Sequence, residues 1–175
     1  ADVATSATPL GAAVEAGFQG FDCQTVINAV VGLIPGSVGE TSVIAIALGA
    51  ILLLWTGVAS WKTMLSVFVG GALMGFVLQG IEGNHILWYQ HLVFGGFAFG
   101  AVFMATDPVT SARTECGKYV YGFLIGVVAV MVRVLNPGFP EGMMLAILLM
   151  NAFAPLIDYC FVQSNINKRA KRAIK

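Results

Sequence analysis

Apolar residues occur along this chain in long runs, and short polar or Gly/Pro-marked turns separate those runs. A helix needs roughly 20 mostly apolar residues to cross a bilayer, and five runs reach or approach that length. We predict membrane-spanning helices at about 42–59, 63–80, 91–106, 119–136 and 142–162. The pattern therefore predicts an all-α integral membrane protein, with about five transmembrane helices within residues 41–163.

The first 40 residues differ from the rest, because they are rich in Gly and Ala and hold several acids. The apolar piece at 26–34 is too short to span a membrane, so we predict an interfacial helix or half of a re-entrant pair there. The chain begins with Ala, and residues 1–20 lack the basic and apolar regions of a signal peptide. We therefore expect the N-terminal part of a longer protein to precede it.

Composition agrees with a membrane environment. Hydrophobic residues make up 58% of the chain and charged residues 10%, whereas soluble domains carry roughly 25% charged residues. The formal net charge is zero, so nothing indicates a nucleic-acid partner, and the surroundings of most side chains must be lipid or other helices. Three cysteines have no paired spacing, so the pattern predicts neither a disulfide framework nor an iron–sulfur site within this chain.

The distribution of Lys and Arg predicts the orientation. Residues 1–61 contain no Lys or Arg, whereas five of the nine cations lie in the tail, which we assign to 164–175. Cytoplasmic loops carry the excess of Lys and Arg, so the tail is expected to be cytoplasmic. Counting back through the spans places Lys62, Arg113 and Lys118 on the same side, and residues 1–40 on the periplasmic side.

Gly residues recur at small-xxx-small spacing within the predicted spans, as at Gly71/Gly75, Gly96/Gly100 and Gly122/Gly126. Such pairs let helix backbones approach closely. We expect these positions to be helix contacts, with close approach to a flat cofactor as the alternative.

Thr8 is the first candidate for chemistry. Pro9 is typical of the first position of a helix, which would make Thr8 its N-cap. Unsatisfied N–H groups and the positive end of the helix dipole lie beside an N-cap hydroxyl, so a phosphate attached there would be stabilised. From the residues alone, a plain helix cap is the alternative interpretation.

A resemblance adds to that interpretation. The run Thr5-Ser6-Ala7-Thr8-Pro9-Leu10 resembles the flavin-attachment motif Ser/Thr-Gly-Ala-Thr-x-Leu/Met of membrane redox subunits, with Ser6 where Gly is usual. Further runs are similar to the NqrB/RnfD family, which serves the sodium-translocating NADH:quinone oxidoreductase and the Rnf complex, and with them the resemblance extends over almost the whole chain. These runs lie at 36–42, 91–100, 104–109, 133–137, 140–148 and 151–158.

The resemblance implies a multi-pass flavoprotein of the bacterial inner membrane, with FMN joined through its phosphate to Thr8. It implies a subunit of a six-subunit sodium pump that passes electrons from NADH towards ubiquinone, with a non-covalent riboflavin in the full subunit. Two alternatives stay open. One is the RnfD protein, which serves ferredoxin and NAD; the other is a transporter or structural membrane subunit in which Thr8 is a helix cap.

Charged residues near the ends of the spans are the remaining candidates. Sodium is a hard cation that prefers oxygen ligands, and the resemblance implies acids on its path, for which we assign Glu40, Asp107 and Asp158. The alternatives are a helix cap for Asp107 and a solvated boundary acid for Asp158. A charge within a span is usually paired or functional, so we predict an ion pair between Arg133 and Glu141, with contact to a flavin phosphate or a partner subunit as the alternative.

Overall fold

The computed structural model describes residues 8–15, 21–37, 39–79, 86–136 and 141–173, and the elements in these ranges are all helical, which confirms the predicted all-α fold. The short elements of the first part are α1 (Pro9–Glu15) and α2 (Cys23–Val31). The longer helices are α3 (Val43–Trp55), α4 (Trp61–Leu78), α7 (Glu115–Leu135) and α8 (Met143–Ala173). Between α4 and α7 lie α5 (Gln90–Val93), α6 (Phe97–Phe99) and a π-helical turn, Gly100–Met104.

Three of the described helices are long and apolar enough to cross a membrane, namely α4, α7 and most of α8. The first predicted span, 42–59, is a shorter helix of 13 residues. It ends early because the Thr56 hydroxyl donates to the carbonyl of Leu52 at 3.0 Å and Gly57 has a left-handed φ of 71°, which favours Gly because it lacks a Cβ. At the other end of the chain, α8 continues through Ala173 and takes in most of the predicted basic tail.

The third predicted span differs most from expectation, because residues 91–106 do not form one continuous helix. After α5 the backbone becomes extended at Phe94 and left-handed at Gly95, where φ is 66°. The chain then re-enters helix at Phe97 and widens into the π-helical turn, in which the Ala105 N–H donates to the Gly100 carbonyl at 2.7 Å. Broken helices are tolerated in membranes where protein or a cavity surrounds the irregular backbone.

The packing centre of the bundle is the contact between α4 and α7, where Gly residues face each other. A Cβ at Gly126 would overlap the Val67 carbonyl oxygen and lie 2.5 Å from the Gly71 nitrogen. The predicted role of Gly122/Gly126 as a close helix contact is therefore confirmed. Gly96 and Gly100 do not bring two helix backbones together in this way. The lack of a Cβ atom at these positions makes room for the side chains of Glu40 and Met143.

Candidate functional site

Thr8 caps the first described helix. Its Oγ1 accepts a hydrogen bond from the Gly11 N–H at 3.2 Å, and its carbonyl accepts one from the Ala12 N–H at 2.9 Å. The predicted N-cap and the helix start at Pro9 are therefore confirmed. The residue is half-buried, and Leu10 behind it is 2% exposed, so the start of α1 is packed onto the bundle.

A small cavity of about 30 Å³ borders Thr8. Its walls come from three parts of the chain: the start of α1, the turn after α2 that includes Glu40, and the break at Val93–Gly95, with Glu141 closing one side. A second cavity of about 320 Å³ lies next to it, and Ser37, Glu40 and Glu141 border both. The two carboxylates therefore stand between the cavities, at the break of the third span.

Glu40 fits against the break because Gly96 has no side chain; a Cβ there would overlap its Oε1. Burial and then the negative charge of Glu141 raise the pKa of the Glu40 carboxyl, although a hydrogen bond with Ser37 opposes the shift. Two carboxylates that repel each other beside a cavity form a place where a cation would be stabilised.

Arg133 joins the last turn of α7 to the broken span. Its side chain is 1% exposed, and Nη1 donates to the His91 carbonyl at 2.7 Å. That carbonyl lies in the last turn of α5, where carbonyls lack intrahelical donors and a cation is favourable. The lack of a Cβ at Gly95 makes this approach possible, because Nη2 would lie 3.1 Å from it. Arg133 also interacts electrostatically with Glu141, while their direct ion pair stays a prediction.

Sequence reasoning missed Gln90, which ties the N-terminal segment to the bundle. Its amide is fully buried; Nε2 donates to the Phe21 carbonyl at 2.9 Å, and Oε1 accepts from the Leu87 N–H at 3.0 Å. The Phe21 ring stacks on Phe94 with centroids 3.9 Å apart. The signal for this contact was a polar pair, Gln90 and His91, directly before an apolar run that ends at paired Gly residues, 95 and 96.

The other two acids lie at the opposite end of the bundle. Asp107 Oδ2 accepts from the Thr110 N–H at 3.1 Å and from the Thr110 hydroxyl at 2.7 Å, and these hydrogen bonds lower the pKa of the Asp107 carboxyl. Asp107 therefore closes a turn, and the predicted helix cap is not observed, because the next described helix, α7, begins at Glu115.

Asp158 is partly exposed at the boundary, as predicted, and its carboxylate also accepts hydrogen bonds from the protein. Its Oδ2 accepts from the Arg113 N–H at 2.8 Å, and its Oδ1 accepts from the Thr114 N–H at 3.0 Å and the Thr114 hydroxyl at 2.6 Å. Thr114 is the N-cap of α7, so Asp158 fastens α8 to the start of α7. Nineteen residue steps separate Thr114 from Arg133, which is roughly 30 Å along the helix at 1.5 Å per step. The three predicted sodium acids are therefore not brought together, and the described ranges contain no cluster of three or more His, Cys, Asp or Glu that could hold a metal ion.

These features define a multi-pass α-helical membrane protein with a broken helix beside a charged cavity. The sequence profile described as the NQR2, RnfD, RnfE family matches residues 1–167, and the chain belongs to that family. Together with the apolar helices, this membership indicates a multi-pass protein of the bacterial inner membrane.

Three relatives, each of them the NqrB component of a Na(+)-translocating NADH-quinone reductase, show how similar the chain is to this family. The protein of Chromohalobacter salexigens is 55% identical over an alignment of 178 positions that covers 98% of this chain and 43% of the relative. The protein of Ectopseudomonas mendocina is 51% identical, covering 86% of this chain and 38% of the relative. That of Pseudoalteromonas atlantica is 51% identical, covering 83% and 37%. The chain thus spans less than half the length of these curated relatives.

Proposed function

We propose that this chain is part of the membrane subunit of a sodium-pumping NADH:quinone reductase, and that it carries FMN covalently bound at Thr8. The observation that carries the proposal is the 55% identity with an NqrB protein over 98% of the chain. The position of Thr8 supports it, because this half-buried hydroxyl lies at a helix start beside a cavity and is not enclosed in the core.

The residues around Thr8 are compatible with an FMN ester at its hydroxyl, but they limit where the flavin ring lies. The Thr8 hydroxyl uses its oxygen as an acceptor for Gly11, so its proton is free to be replaced by a phosphorus ester. The adjoining cavity of about 30 Å³ has room for one or two water molecules, so the flavin ring would lie outside it. The redox chemistry is supplied by the flavin when bound; the part of this chain is to anchor it and to fix the segment that carries it.

Several contacts fix that segment. Leu10 is buried against the region of Gly95, and Gln90 holds Phe21 beyond the end of α1. Arg133 then holds α5 to α7 through the His91 carbonyl. A flavin attached at Thr8 would therefore be tied to the broken span and to Glu40 and Glu141, which offers a physical route by which electron transfer could influence a cation at these carboxylates.

The direct test is the mass of the peptide that contains Thr8, isolated from the natively expressed complex. We expect the mass increase of one FMN phosphodiester on that peptide. Unmodified Thr8 in a complex that is active and otherwise loaded with flavin would contradict the proposal. Sodium stimulation of NADH–quinone activity then separates this function from that of an RnfD protein, and a denatured band without flavin fluorescence would favour the transporter alternative.

The remaining elements of the proposal concern the complete complex. They are transfer of electrons from NADH towards ubiquinone, a non-covalent riboflavin in the full-length protein, and partner subunits of the sodium-pumping complex. We further propose that the C-terminus is cytoplasmic and that residues 1–40 are periplasmic, which the absence of Lys and Arg before Lys62 supports.

For sodium, we expect Glu40→Gln to raise the half-saturating sodium concentration of the complex about tenfold, the effect of losing about 1.4 kcal/mol of binding. The reason is that Glu40 borders two cavities beside Glu141, whereas the oxygens of Asp158 are engaged by three donors. Sodium-dependent turnover of the Glu40→Gln, Asp107→Asn and Asp158→Asn complexes is the measurement. Unchanged sodium dependence in all three variants would remove these acids from the sodium path.

A further inference from the structure

A larger cavity lies at the opposite end of the bundle from Thr8. It has a volume of about 440 Å³ and lies between the turn that joins α3 to α4, the loop after the π-helical turn, and the start of α7. Its lining includes three cations, Lys62, Arg113 and Lys118, and one acid, Glu115. The lining thus carries two more positive than negative charges, three against one.

The two lysines share the single acid. Lys118 Nζ lies 2.9 Å from Glu115 Oε1, and Lys62 forms an ion pair with the other oxygen of the same carboxylate. One carboxylate cannot neutralise two ammonium groups, and Arg113 adds a third positive charge. The Asp158 carboxylate interacts electrostatically with Arg113 from outside the lining of this cavity, and it already accepts three hydrogen bonds at the start of α7, one of them from the Arg113 backbone. The cavity is therefore suited to an anion.

An apolar groove of about 370 Å³ runs along the same two helices, one turn further from the helix starts. On α4 it is bordered by Leu65 and Val69, which are 50% and 49% exposed, and on α7 by Tyr119, Val120 and Phe123. Leu65 is one turn beyond Trp61 and Lys62, and Phe123 is about one turn beyond Lys118 and Tyr119. The groove therefore continues from the region of the cations towards the middle of the membrane.

Aromatic side chains mark this end of the two helices as a membrane boundary. The rings of Trp61 and Tyr119 contact each other edge to face with centroids 6.4 Å apart, and Lys62 Nζ lies 5.9 Å from the centroid of Trp61. Trp and Tyr are enriched where lipid headgroups meet the hydrocarbon region. Basic cavities between membrane helices at that level are suited to phosphate headgroups.

We propose that Lys62, Arg113 and Lys118 bind the phosphate headgroup of an anionic phospholipid, one acyl chain of which lies in the groove between α4 and α7. A soluble phosphate compound would use the cations and leave the groove uncovered, whereas a phospholipid matches both, with its charge at the boundary and its chain along Leu65 and Phe123. The site is separate from Thr8 and does not depend on flavin attachment or electron transfer.

The test uses the purified full complex, stripped of loosely held lipid in detergent and then mixed with detergent micelles that contain phosphatidylglycerol, phosphatidylcholine or no lipid, the last with and without inorganic phosphate. Lipid that remains bound after gel filtration is extracted and quantified by mass spectrometry, and the midpoint of thermal unfolding is measured in parallel. We expect retention of phosphatidylglycerol over phosphatidylcholine and a higher unfolding midpoint with phosphatidylglycerol alone.

Arg113→Gln is the main variant, because it removes a cation of the cavity and leaves the pairing of both lysines with Glu115 in place. We expect it to weaken phosphatidylglycerol binding about fivefold, the factor typical of one cation near an anionic membrane surface. Arg169→Gln is the matched control; Arg169 is an exposed arginine on α8 that is not part of the cavity lining, and its replacement is expected to leave binding unchanged. Val69→Trp, which fills the groove, is expected to lower retention, whereas Leu73→Trp, on an exposed position of α4 beyond the groove lining, is not.

Four results would overturn the proposal. These are equal retention of the two lipids, an equal loss in Arg113→Gln and Arg169→Gln, unchanged retention in Arg113→Gln, and stabilisation by inorganic phosphate that equals that by phosphatidylglycerol. The last would identify a site for a soluble anion. Failure of flavin attachment at Thr8 has no bearing on any of these readouts, so the two proposals fail independently.

Discussion

Thr8→Val is expected to remove covalently bound flavin from this chain completely, while Thr8→Ser retains it. Valine has nearly the shape of threonine but no hydroxyl, so no phosphate ester can form, whereas serine keeps the oxygen in place. The measurement is the fluorescence of the denatured protein band under ultraviolet light, together with the mass of the peptide around residue 8. The rate of electron transfer from NADH to quinone is expected to fall in proportion to the loss of bound flavin.

A matched control separates attachment from stability. Thr8 also caps α1 through its hydrogen bond to the Gly11 N–H, and loss of an N-cap hydroxyl costs about 1 kcal/mol. Thr41 lines the same cavity, so Thr41→Val changes a neighbouring threonine and is expected to leave the flavin attached. Fluorescence that persists in Thr8→Val, with the complex assembled, would place the flavin on another residue.

The parts of the fold that hydropathy and local capping determine could be predicted from sequence. Pro9 after Thr8 indicated a helix start, and the structure has it there with the expected hydrogen bond. The apolar runs of α4 and α7 are helices of 18 and 21 residues, close to the predicted spans. In these segments propensity, hydropathy and tertiary packing favour the same structure, so a single sequence is enough.

The break in the third span could not be read from hydropathy, because Gly95 and Gly96 are as compatible with an apolar helix as with a turn. What selects the turn is tertiary contact. Arg133 and Leu10 crowd the space where a Cβ of Gly95 would lie, and Glu40 occupies that of Gly96. These partners come from segments far apart in the chain, and no local pattern indicates that they meet at one point.

The same reason explains why the contacts of the acidic residues could not be predicted from the sequence. Asp158 was assigned to the sodium path from its chemistry and its place near the end of a span, but its three hydrogen bonds depend on how α8 packs against the start of α7. Glu40 and Glu141 lie far apart in the sequence, and only the fold brings their charges together at the break. The sequence indicated which acids could bind a cation, but it did not indicate which of them lie close together in the fold.

Gly126→Ala is expected to lower the stability of the bundle by about 2 kcal/mol, the middle of the range for overpacking a tight core. The new methyl group would meet backbone atoms, the Val67 carbonyl oxygen and the Gly71 nitrogen, the latter at 2.5 Å. Neither can rotate away, so α4 and α7 must separate, and their shared contact is the centre of the bundle. The midpoint of thermal unfolding of the purified complex, followed by loss of helical circular dichroism, measures the effect.

Gly49→Ala is the matched control, because it makes the same change in the interior of the apolar helix α3. There the new methyl group would lie 2.5 Å from the far end of the Phe103 ring, which is 37% exposed and free to turn aside. Both substitutions gain the same helix propensity, up to about 1 kcal/mol, so the difference between the two variants isolates the cost of the backbone contact. Equal unfolding midpoints for Gly126→Ala and Gly49→Ala would show that α4 and α7 do not approach through their glycines.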